Sequence, residues 1–352
     1  MGTVEIDGRR VGSDQPCLLI AEVGVNHNGD AATALAMIDA IADAGAECVK
    51  FQTFRAEEFV NSSSETYTYQ SQGVEVTESM LTMFQRLELA HDEFRVLFDR
   101  ARARGLIALS TPTDTDAVDL LVELGAPAFK IGSDDLVHTP LLEYVASKGK
   151  PVIISAGMAR AEEVESAIAT IRAAGNDDIV LLHCVSEYPT PPHHANLRKI
   201  PALAERFGVP TGFSDHTMGV TAALVAVALG ACVIEKHVTL DRNLPGPDHH
   251  FSADPPELRE LVERIREVEA GLGSAALVPT ADEDDMALLS RRSIVAKADL
   301  AAGHVLRPGD LAYRRPGTGL VPAAADRIIG SRLRRALPAG SLILEGDLLP
   351  AT

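Results

Sequence analysis

The stretch GFSDHTMGVTAALVAVALGACVIEKH (212–237) decides the fold of this chain. Two short apolar runs, 209–213 and 231–235, have the composition of buried strands, and the segment between them is long enough for one helix. A strand, a helix and a second strand in this order form a parallel pair. His216 and His237 follow the two strands, so we expect both imidazoles at the same edge of the sheet.

Two histidines at one sheet edge, with Asp215 and Glu235 beside them, suit a divalent metal ion. Imidazole and carboxylate groups with open coordination positions favour Mn, Co or Zn. An open position makes such an ion a Lewis acid. The alternative is that both histidines are hydrogen-bonded residues of the core, and the spacing alone leaves both interpretations open.

The same alternation of strand and helix recurs along the first 270 residues. Six earlier apolar runs of strand length lie at 18–23, 48–51, 106–110, 128–131, 151–155 and 179–183. Eight strand–helix units at this length predict an α/β fold, the (β/α)8 TIM barrel, whose functional residues lie at the C-terminal ends of the strands. A doubly wound open sheet is the competing fold, but no GxGxxG motif follows the first strand.

The chain is predicted to contain two domains joined by a linker. Residues 1–270 form the barrel with a small N-terminal β-hairpin, and residues 271–290, which are small, acidic and aperiodic, form the linker. Residues 291–352 form a small β-rich domain with many arginines and few aromatic residues. A domain of this size has a small hydrophobic core, so we expect it to pack against the barrel or against a partner subunit. The polar segment 55–90 is predicted to be a long lid or binding loop.

The composition excludes several classes of function. A net charge of −18 argues against nucleic acid and membrane surfaces as partners, because both attract basic patches. No apolar run approaches the roughly 18 residues that a membrane span needs, and the N-terminus lacks the apolar core of a signal peptide. The four cysteines form no CxxC pair and are predicted to be buried thiols in a reducing compartment. We therefore predict a cytoplasmic location.

Polar residues follow every predicted strand. They are Glu22, Asn26, His27, Lys50, Gln52, Ser110, Thr111, Thr113, Lys130, Gly132, Ser133, Asp134, Ser155, Gly157, His183, Ser186, Glu187, Tyr188, Ser214, Asp215, His216, Glu235, Lys236 and His237. Any one lysine among them is explained by a solvated surface charge, but their repetition around the ring predicts an active site. Lysines with hydroxyls and glycine amides bind phosphate and carboxylate. We expect the phosphate near the fourth and fifth strands.

The ordered motifs of the chain resemble those of the sialic acid synthases, in particular the sialic and legionaminic branch. They are IAEVGVNHNGD (20–30), VKFQTF (49–54), STPTD (110–114), FKIGS (129–133), ISAGM (154–158), LLHCVSEYPTP (181–191), GFSDHT (212–217), EKHVTLDRNLPGPDHHFS (235–252) and YRRPGTG (313–319). The resemblance covers both domains. It implies that the tail is an antifreeze-like (SAF) domain, which in this family swaps across a homodimer.

The resemblance also implies an activity. Enzymes of this family condense phosphoenolpyruvate with an N-acyl hexosamine aldehyde and water, and give a nine-carbon sialic-type acid and phosphate. The acceptor would be N-acetylmannosamine or a 6-deoxy-2,4-diacetamido analogue, and the cofactor would be Mn²⁺. The alternative is another metal-dependent 3-deoxy-sugar-acid synthase or aldolase that uses a different aldehyde. A sugar-acid-binding protein without turnover is a further alternative.

Site roles follow from the resemblance where residues match. His216 and His237 match the metal ligands, and Glu22 and His237 are the candidate catalytic residues. The phosphoenolpyruvate shell is matched by Lys50, Thr111, Lys130, Ser133, Ser155 and Ser214. Contacts to the aminosugar are matched by Gln52, Tyr188 and Asp248, and the arginine that the partner's tail supplies is matched by Arg315.

The chain departs from the family pattern at two places. Ser186 stands where some synthases have an asparagine beside phosphoenolpyruvate, and we keep it as a substrate-binding candidate. Arg291 and Arg292 fall where some members place an aromatic residue against the acyl group of the sugar. The second departure concerns the acyl and ring substituents of the acceptor.

Overall fold

The computed structural model of the protein describes residues 2–349. The chain divides into two compact units after Gly273. None of the helices in the described part of the chain is long and apolar enough to cross a membrane.

The first unit alternates strands and helices along its whole length. Its elements are β1 (Val4–Ile6), β2 (Arg9–Val11), β3 (Leu18–Gly24), α1 (Ala31–Asp43), β4 (Cys48–Thr53), α2 (Ala56–Phe59), β5 (Thr66–Ser71), β6 (Val74–Ser79), α3 (Met80–Leu87), α4 (His91–Ala103), β7 (Ile107–Pro112), α5 (Thr115–Glu123), β8 (Phe129–Ile131), α6 (Thr139–Ala146), β9 (Val152–Ser155), α7 (Ala161–Ala173), β10 (Ile179–Cys184), α8 (Lys199–Phe207), β11 (Thr211–Asp215), α9 (Thr221–Ala228), β12 (Val233–His237) and α10 (Pro255–Leu272).

Eight of these strands form one parallel sheet in the order β7-β4-β3-β12-β11-β10-β9-β8. The end strands β7 and β8 lie next to each other, which closes the ring. The predicted TIM barrel is therefore confirmed. The two strands that carry the histidines lie about two residues later than predicted, so that His237 ends β12 and His216 directly follows β11.

The barrel strands bury side chains on both faces, as expected for a parallel sheet covered by helices. Leu18 and Ile20 on β3 belong to an inner cluster that includes Val4 and Ile6 of the N-terminal hairpin. Leu19, on the opposite face of β3, belongs to the outer cluster that packs the helices on the sheet. The hairpin therefore packs on the inner core of the barrel and leaves the C-terminal ends of the strands open.

Aspartates are the N-caps of three barrel helices and so set the residue at which each preceding loop ends. Asp30 accepts hydrogen bonds from the backbone amides of Ala32 and Thr33 at the start of α1. Asp114 and Asp254 cap α5 and α10 in the same way. Such caps satisfy amides that have no partner within the helix.

The prediction of a long loop over residues 55–90 is wrong, because this segment folds. It contains the short helix α2, the antiparallel hairpin β5–β6 and the helix α3. The hairpin turns at Gln72 and Gly73, which both have positive φ. Its alternating sequence and this turn are a recognisable hairpin signal, which the overall polarity of the segment obscured.

The second unit has its own small apolar core. Its elements are α11 (Ala281–Ser290), β13 (Ser293–Ala296), β14 (Leu311–Arg314), α12 (Ala325–Ile328), β15 (Arg332–Leu333) and β16 (Leu348–Leu349). Strands β13 and β14 pair antiparallel, as do β15 and β16. The predicted linker contains helix α11, whose first turn is a capping box formed by Thr280 and Glu283. The description of residues 271–290 as aperiodic therefore holds only for their first part.

Gly212→Ala should destabilise the barrel. A Cβ at this position of β11 would lie 2.5 Å from the carbonyl oxygen of Val233 and 2.7 Å from Leu182 Cδ2. Overpacking against a backbone atom costs about 1–3 kcal/mol, which urea unfolding should detect. Gly271→Ala on α10 is the control, because a Cβ there meets open space. Equal stability of the two variants would contradict this packing.

Candidate active site

A cavity of about 440 Å³ opens at the C-terminal ends of the barrel strands. Every barrel residue on the predicted list lines it: Glu22, Lys50, Gln52, Thr111, Lys130, Ser133, Ser155, Ser186, Tyr188, Ser214, His216, His237 and Asp248. Arg315 lies in the second unit, where it is exposed just after β14. Its proposed contact through a partner subunit stays a prediction.

Lys50 on β4 is held by groups from the neighbouring strands. Its ammonium lies 2.7 Å from Glu22 Oε2 on β3 and donates a hydrogen bond of 2.9 Å to Thr111 Oγ1 on β7. Gln52 Nε2 donates to the other oxygen of Glu22 at 3.2 Å. Lys50 and Glu22 are both buried, so each charge depends on the other for compensation.

Glu235 on β12 lies between the two lysines of the cavity. Its Oε1 accepts a hydrogen bond of 2.8 Å from Ser214 and lies 3.6 Å from Lys130 Nζ, and its Oε2 lies 3.7 Å from Lys50 Nζ. Two ammonium groups and two carboxylates thus form one buried cluster, which we call the charge cluster (Glu22, Lys50, Lys130, Glu235). Sequence analysis named Glu235 among the strand-end residues and beside the histidines, but it did not assign this carboxylate a place between the two lysines.

The two carboxylates of the charge cluster differ in their pKa. Burial raises the pKa of Glu22 to about 7, even though the ammonium of Lys50 opposes the shift. Burial also acts on Glu235, but Lys130 and Lys50 outweigh it and lower the pKa of this carboxyl. Glu235 therefore stays ionised, whereas Glu22 can gain or lose a proton near neutral pH.

Serine hydroxyls surround Gly157, in the loop after β9. The Gly157 amide donates to Ser133 Oγ at 2.9 Å. A Cβ at position 157 would lie 2.5 Å from Ser186 Oγ and 2.6 Å from Ser133 Oγ. The buried hydroxyls of Ser155 and Ser186 have no hydrogen-bond partner within the described residues. This group, the serine cradle (Ser133, Ser155, Gly157, Ser186), offers unused polar atoms of the kind that hold a phosphate.

His216 and His237 face each other with ring centroids 5.4 Å apart. His216 Nδ1 lies 2.8 Å from the carbonyl oxygen of Val185, so the proton sits on Nδ1 and the lone pair on Nε2. His237 Nδ1 has no hydrogen-bond partner among the described residues. Burial and the neighbouring His216 lower the pKa of His237 well below its ordinary value. Each ring therefore keeps a nitrogen that could bind a metal ion. For His216 burial lowers the pKa, but Cys184 and the carbonyl of Val185 outweigh it and raise the pKa above its ordinary value.

The residues fit a metal site completed by water or substrate. No cluster of three or more histidine, cysteine, aspartate or glutamate ligands exists in residues 2–349. The expectation that Asp215 stands beside the ion is wrong, because Asp215 and Lys236 form a buried ion pair of 2.9 Å and do not line the cavity. The protein thus supplies two imidazoles and leaves other positions open, as in catalytic metal sites.

Other strand-end residues lie outside the cavity. They are Asn26, His27, Ser110, Thr113, His183, Glu187, Asp215 and Lys236, none of which is among the lining residues. His183 is buried and contacts the carbonyl oxygen of Ala195 at 2.7 Å, and Glu187 forms an exposed contact of 2.8 Å with His194. These residues therefore do not contact a ligand in the cavity directly.

An apolar outer wall completes the cavity, and sequence analysis missed it. It consists of Phe59, Tyr67, Met80, Met83, Phe84 and Met158. All but Met158 come from the folded segment that was predicted as a loop. Phe84 contacts Phe59 with ring centroids 5.0 Å apart. The recurrence of aromatic residues in this polar segment was the available signal.

A closed ring of eight parallel strands with a charged, concave cavity at their C-terminal ends defines a TIM-barrel enzyme. The chain belongs to the NeuB family, whose sequence pattern matches residues 37–276, and a SAF domain matches residues 291–349. The named relatives that follow are sugar-acid synthases.

Similarity to named proteins extends over most of the chain. The N,N'-diacetyllegionaminic acid synthase of Legionella pneumophila is 42% identical over 337 residues, which is 95% of each chain. The human N-acetylneuraminate-9-phosphate synthase is 38% identical over 307 residues, 85% of this chain and 83% of that one. The crystal structure of the N-acetylneuraminic acid synthetase of Leptospira borgpetersenii, in complex with citrate, aligns with a TM-score of 0.74 and 36% identity over 81% of this chain and 95% of that chain.

Glu22→Gln should remove a pH-dependent component of stability. The fold raises the Glu22 pKa from 4.5 to about 7, so its contribution to the free energy of unfolding is fully present below the lower value and is lost as pH rises through the higher one. Relative to the variant, the wild type should lose on the order of 1–3 kcal/mol across this window in urea unfolding.

The control for this prediction is Glu263→Gln. Glu263 is exposed on α10 and forms no ion pair with the described residues. Its substitution should leave the pH dependence of stability as in the wild type. A pH dependence that Glu22→Gln does not change would contradict the raised pKa.

Proposed function

We propose that this enzyme condenses phosphoenolpyruvate with an N-acyl hexosamine aldehyde and water, and releases a nine-carbon sialic-type acid and phosphate. One observation carries the proposal: a single cavity combines two buried lysines, a cradle of unpaired hydroxyls and two facing imidazoles. These are the groups needed to bind a phosphorylated carboxylate beside an activated carbonyl. The names of the relatives support the same chemistry.

Phosphoenolpyruvate would bind between the charge cluster and the serine cradle. The hydroxyls of Ser155 and Ser186, beside Gly157, suit the phosphate, since neither hydroxyl has a hydrogen-bond partner within the described residues. Lys50 and Lys130 supply the positive charge that an anion needs in a chain of net charge −18. This binding would hold the reacting carbon at a defined place in the cavity.

A divalent metal, for which we propose Mn²⁺, would be held by His216 and His237. When bound, it would supply Lewis-acid polarisation of the acceptor aldehyde. Neutral imidazoles are the required ligand form, and the lowered pKa of His237 supports this assignment.

The reaction forms one carbon–carbon bond, adds water at carbon 2 and breaks the carbon–oxygen bond to phosphate. Carbon 3 of phosphoenolpyruvate attacks the aldehyde carbon, and the cation that forms at carbon 2 is captured by water. Glu22, with a pKa of about 7, would accept the proton that this water loses. The hydroxyl at carbon 2 then loses its remaining proton as the carbon–oxygen bond to phosphate breaks, which leaves a keto group at carbon 2. The alkoxide formed from the aldehyde takes up one proton and becomes a hydroxyl group. Lys50 and Lys130 stabilise the departing anion.

The outer wall favours an uncharged acceptor with an apolar end. Among the described residues that line the cavity, the only lysines or arginines are Lys50 and Lys130, and both already face carboxylates. Within one subunit a second phosphate at position 6 of the acceptor would therefore find no further cation, and only the arginine proposed to come from the partner's tail could meet it. Phe59, Met83 and Phe84 instead offer apolar surface, which favours the 6-deoxy-2,4-diacetamido sugar over N-acetylmannosamine.

We also propose that the enzyme is a domain-swapped homodimer in which Arg315 reaches the cavity of the partner subunit. The SAF domain, residues 291–349, carries ten lysines and arginines against five aspartates and glutamates, although the whole chain has a net charge of −18. A basic domain and an otherwise acidic chain are complementary, which supports such docking. Sedimentation analysis of the full chain tests the dimer.

The proposed function is tested by phosphate release from phosphoenolpyruvate in the presence of Mn²⁺. We expect release with the 6-deoxy-2,4-diacetamido sugar and a lower kcat/KM with N-acetylmannosamine, and the 6-phosphate of the latter tests whether a cation from the partner's tail serves a second phosphate. His216→Ala should abolish release, and metal-independent turnover in that variant would contradict the ligand assignment. Release only with sugar phosphates that lack an N-acyl group would instead support the alternative 3-deoxy-sugar-acid synthase.

Gly157→Ala should impair phosphoenolpyruvate use. The new Cβ would displace the hydroxyls of Ser133 and Ser186, and misplacement of about 1 Å in a binding site can cost roughly 100-fold in rate. We expect kcat/KM for phosphoenolpyruvate to fall by that order while the melting temperature changes little. Gly309→Ala, where a Cβ meets open space, is the control. An unchanged kcat/KM in Gly157→Ala would argue against a phosphate at the serine cradle.

A further inference from the structure

Asn26 lies directly behind the cavity and connects two of its loops. It follows β3, is buried to 1% exposure and does not line the cavity. The loop after β12, which carries Asp248, packs against it. The family resemblance implies that Asp248 contacts the aminosugar, whereas it assigns no role to Asn26.

The side-chain amide of Asn26 donates both of its protons to the loop after β12. Asn26 Nδ2 donates to the carbonyl oxygen of Val238 at 2.8 Å and to Ser252 Oγ at 2.8 Å. The opposite amide orientation would bring two acceptor oxygens together at Val238, so the network fixes the orientation. Ser252 then has one proton to donate, and it goes to the backbone carbonyl of Asp248 at 2.6 Å.

Two further contacts hold the same loop. His249 Nδ1 lies 2.7 Å from Thr239 Oγ1, whose hydroxyl donates to the carbonyl of Asp241 at 3.0 Å. A single hydroxyl proton satisfies both contacts only if His249 is the donor to Thr239. On the other side, the amide of Gly246 donates to Ser71 Oγ at the end of β5.

The carboxylate of Asp248 depends on these backbone contacts for its position. It lines the cavity with its Oδ2 at 3.6 Å from His237 Nδ1. No side chain among residues 2–349 donates a hydrogen bond to it. The position of the Asp248 carboxylate therefore depends on where the backbone of Asp248 is held. The hydroxyl of Ser252 donates directly to the carbonyl oxygen of that backbone.

We propose that Asn26 and Ser252 are positioning residues that hold Asp248 at the acceptor side of the cavity. This inference rests on the proposed function and on the contact between Asp248 and the aminosugar that the family resemblance implies. Two hydrogen bonds, from Asn26 to Ser252 and from Ser252 to the backbone of Asp248, form what we call the relay. Neither hydrogen bond involves the lysines or the serine cradle. The relay acts on the acceptor and leaves phosphoenolpyruvate binding unaffected.

Ser252→Ala tests the relay. We expect the KM for the N-acyl sugar to rise about 10-fold, equivalent to about 1.4 kcal/mol, while the KM for phosphoenolpyruvate changes less than about twofold. Ser252→Cys, whose thiol is a weaker donor, should give an intermediate KM and carries the test if the alanine variant does not fold. Thr211→Val removes an equally buried hydroxyl at the opposite end of the barrel and should leave both KM values unchanged.

A double-mutant cycle separates positioning from a general loss of structure. In an Asp248→Ala background, Ser252→Ala should have no further effect on the sugar KM, because the group it positions is gone. The same 10-fold rise in that background, or no rise in the wild-type background, would overturn the inference while leaving the proposed function intact. A wild type that releases no phosphate with any N-acyl sugar would overturn the proposed function and the inference with it.

Discussion

Two ammonium groups and two carboxylates meet inside the barrel mouth, where Lys50 lies 2.7 Å from Glu22 and both lysines lie within 3.7 Å of Glu235. Ions removed from water are costly unless each is compensated by a partner at close range. The cluster meets this condition because each charge comes from a different strand of a ring whose register is fixed by backbone hydrogen bonds. The cavity therefore keeps strong positive charge available without exposing it to solvent.

The charge cluster also explains how an anion can enter an acidic protein. An incoming phosphate or carboxylate competes with Glu22 and Glu235 for the lysines, and Glu22 can take up a proton near neutral pH because its pKa is about 7. One carboxylate thus adjusts its charge while the other remains ionised. Preorganised charges of this kind stabilise a reacting anion without rearrangement at the moment of reaction.

The two sides of the cavity are built from different parts of the chain. The charged floor comes from barrel strands, whereas most of the apolar outer wall comes from the segment between β4 and α4, and Asp248 comes from the loop after β12. Strand positions are held by the closed sheet, but loop positions depend on a few hydrogen bonds such as those of Ser252 and Gly246. The strand residues are therefore placed more rigidly than the loop residues that face them across the cavity.

The sequence by itself determined the barrel, because eight apolar runs with helices between them leave few other ways to bury every strand, and it indicated which residues end those strands. It did not reveal the hairpin β5–β6 or the helix α11, whose local signals were weak beside the polar composition around them. Nor could it separate Asp215, which pairs with Lys236 outside the cavity, from Glu235, which faces the lysines. Adjacent positions at a strand end point to opposite faces, and a shift of one residue in the strand boundary exchanges them. Only the folded ring decided which charges meet, since contacts between strands far apart in the chain depend on register and closure.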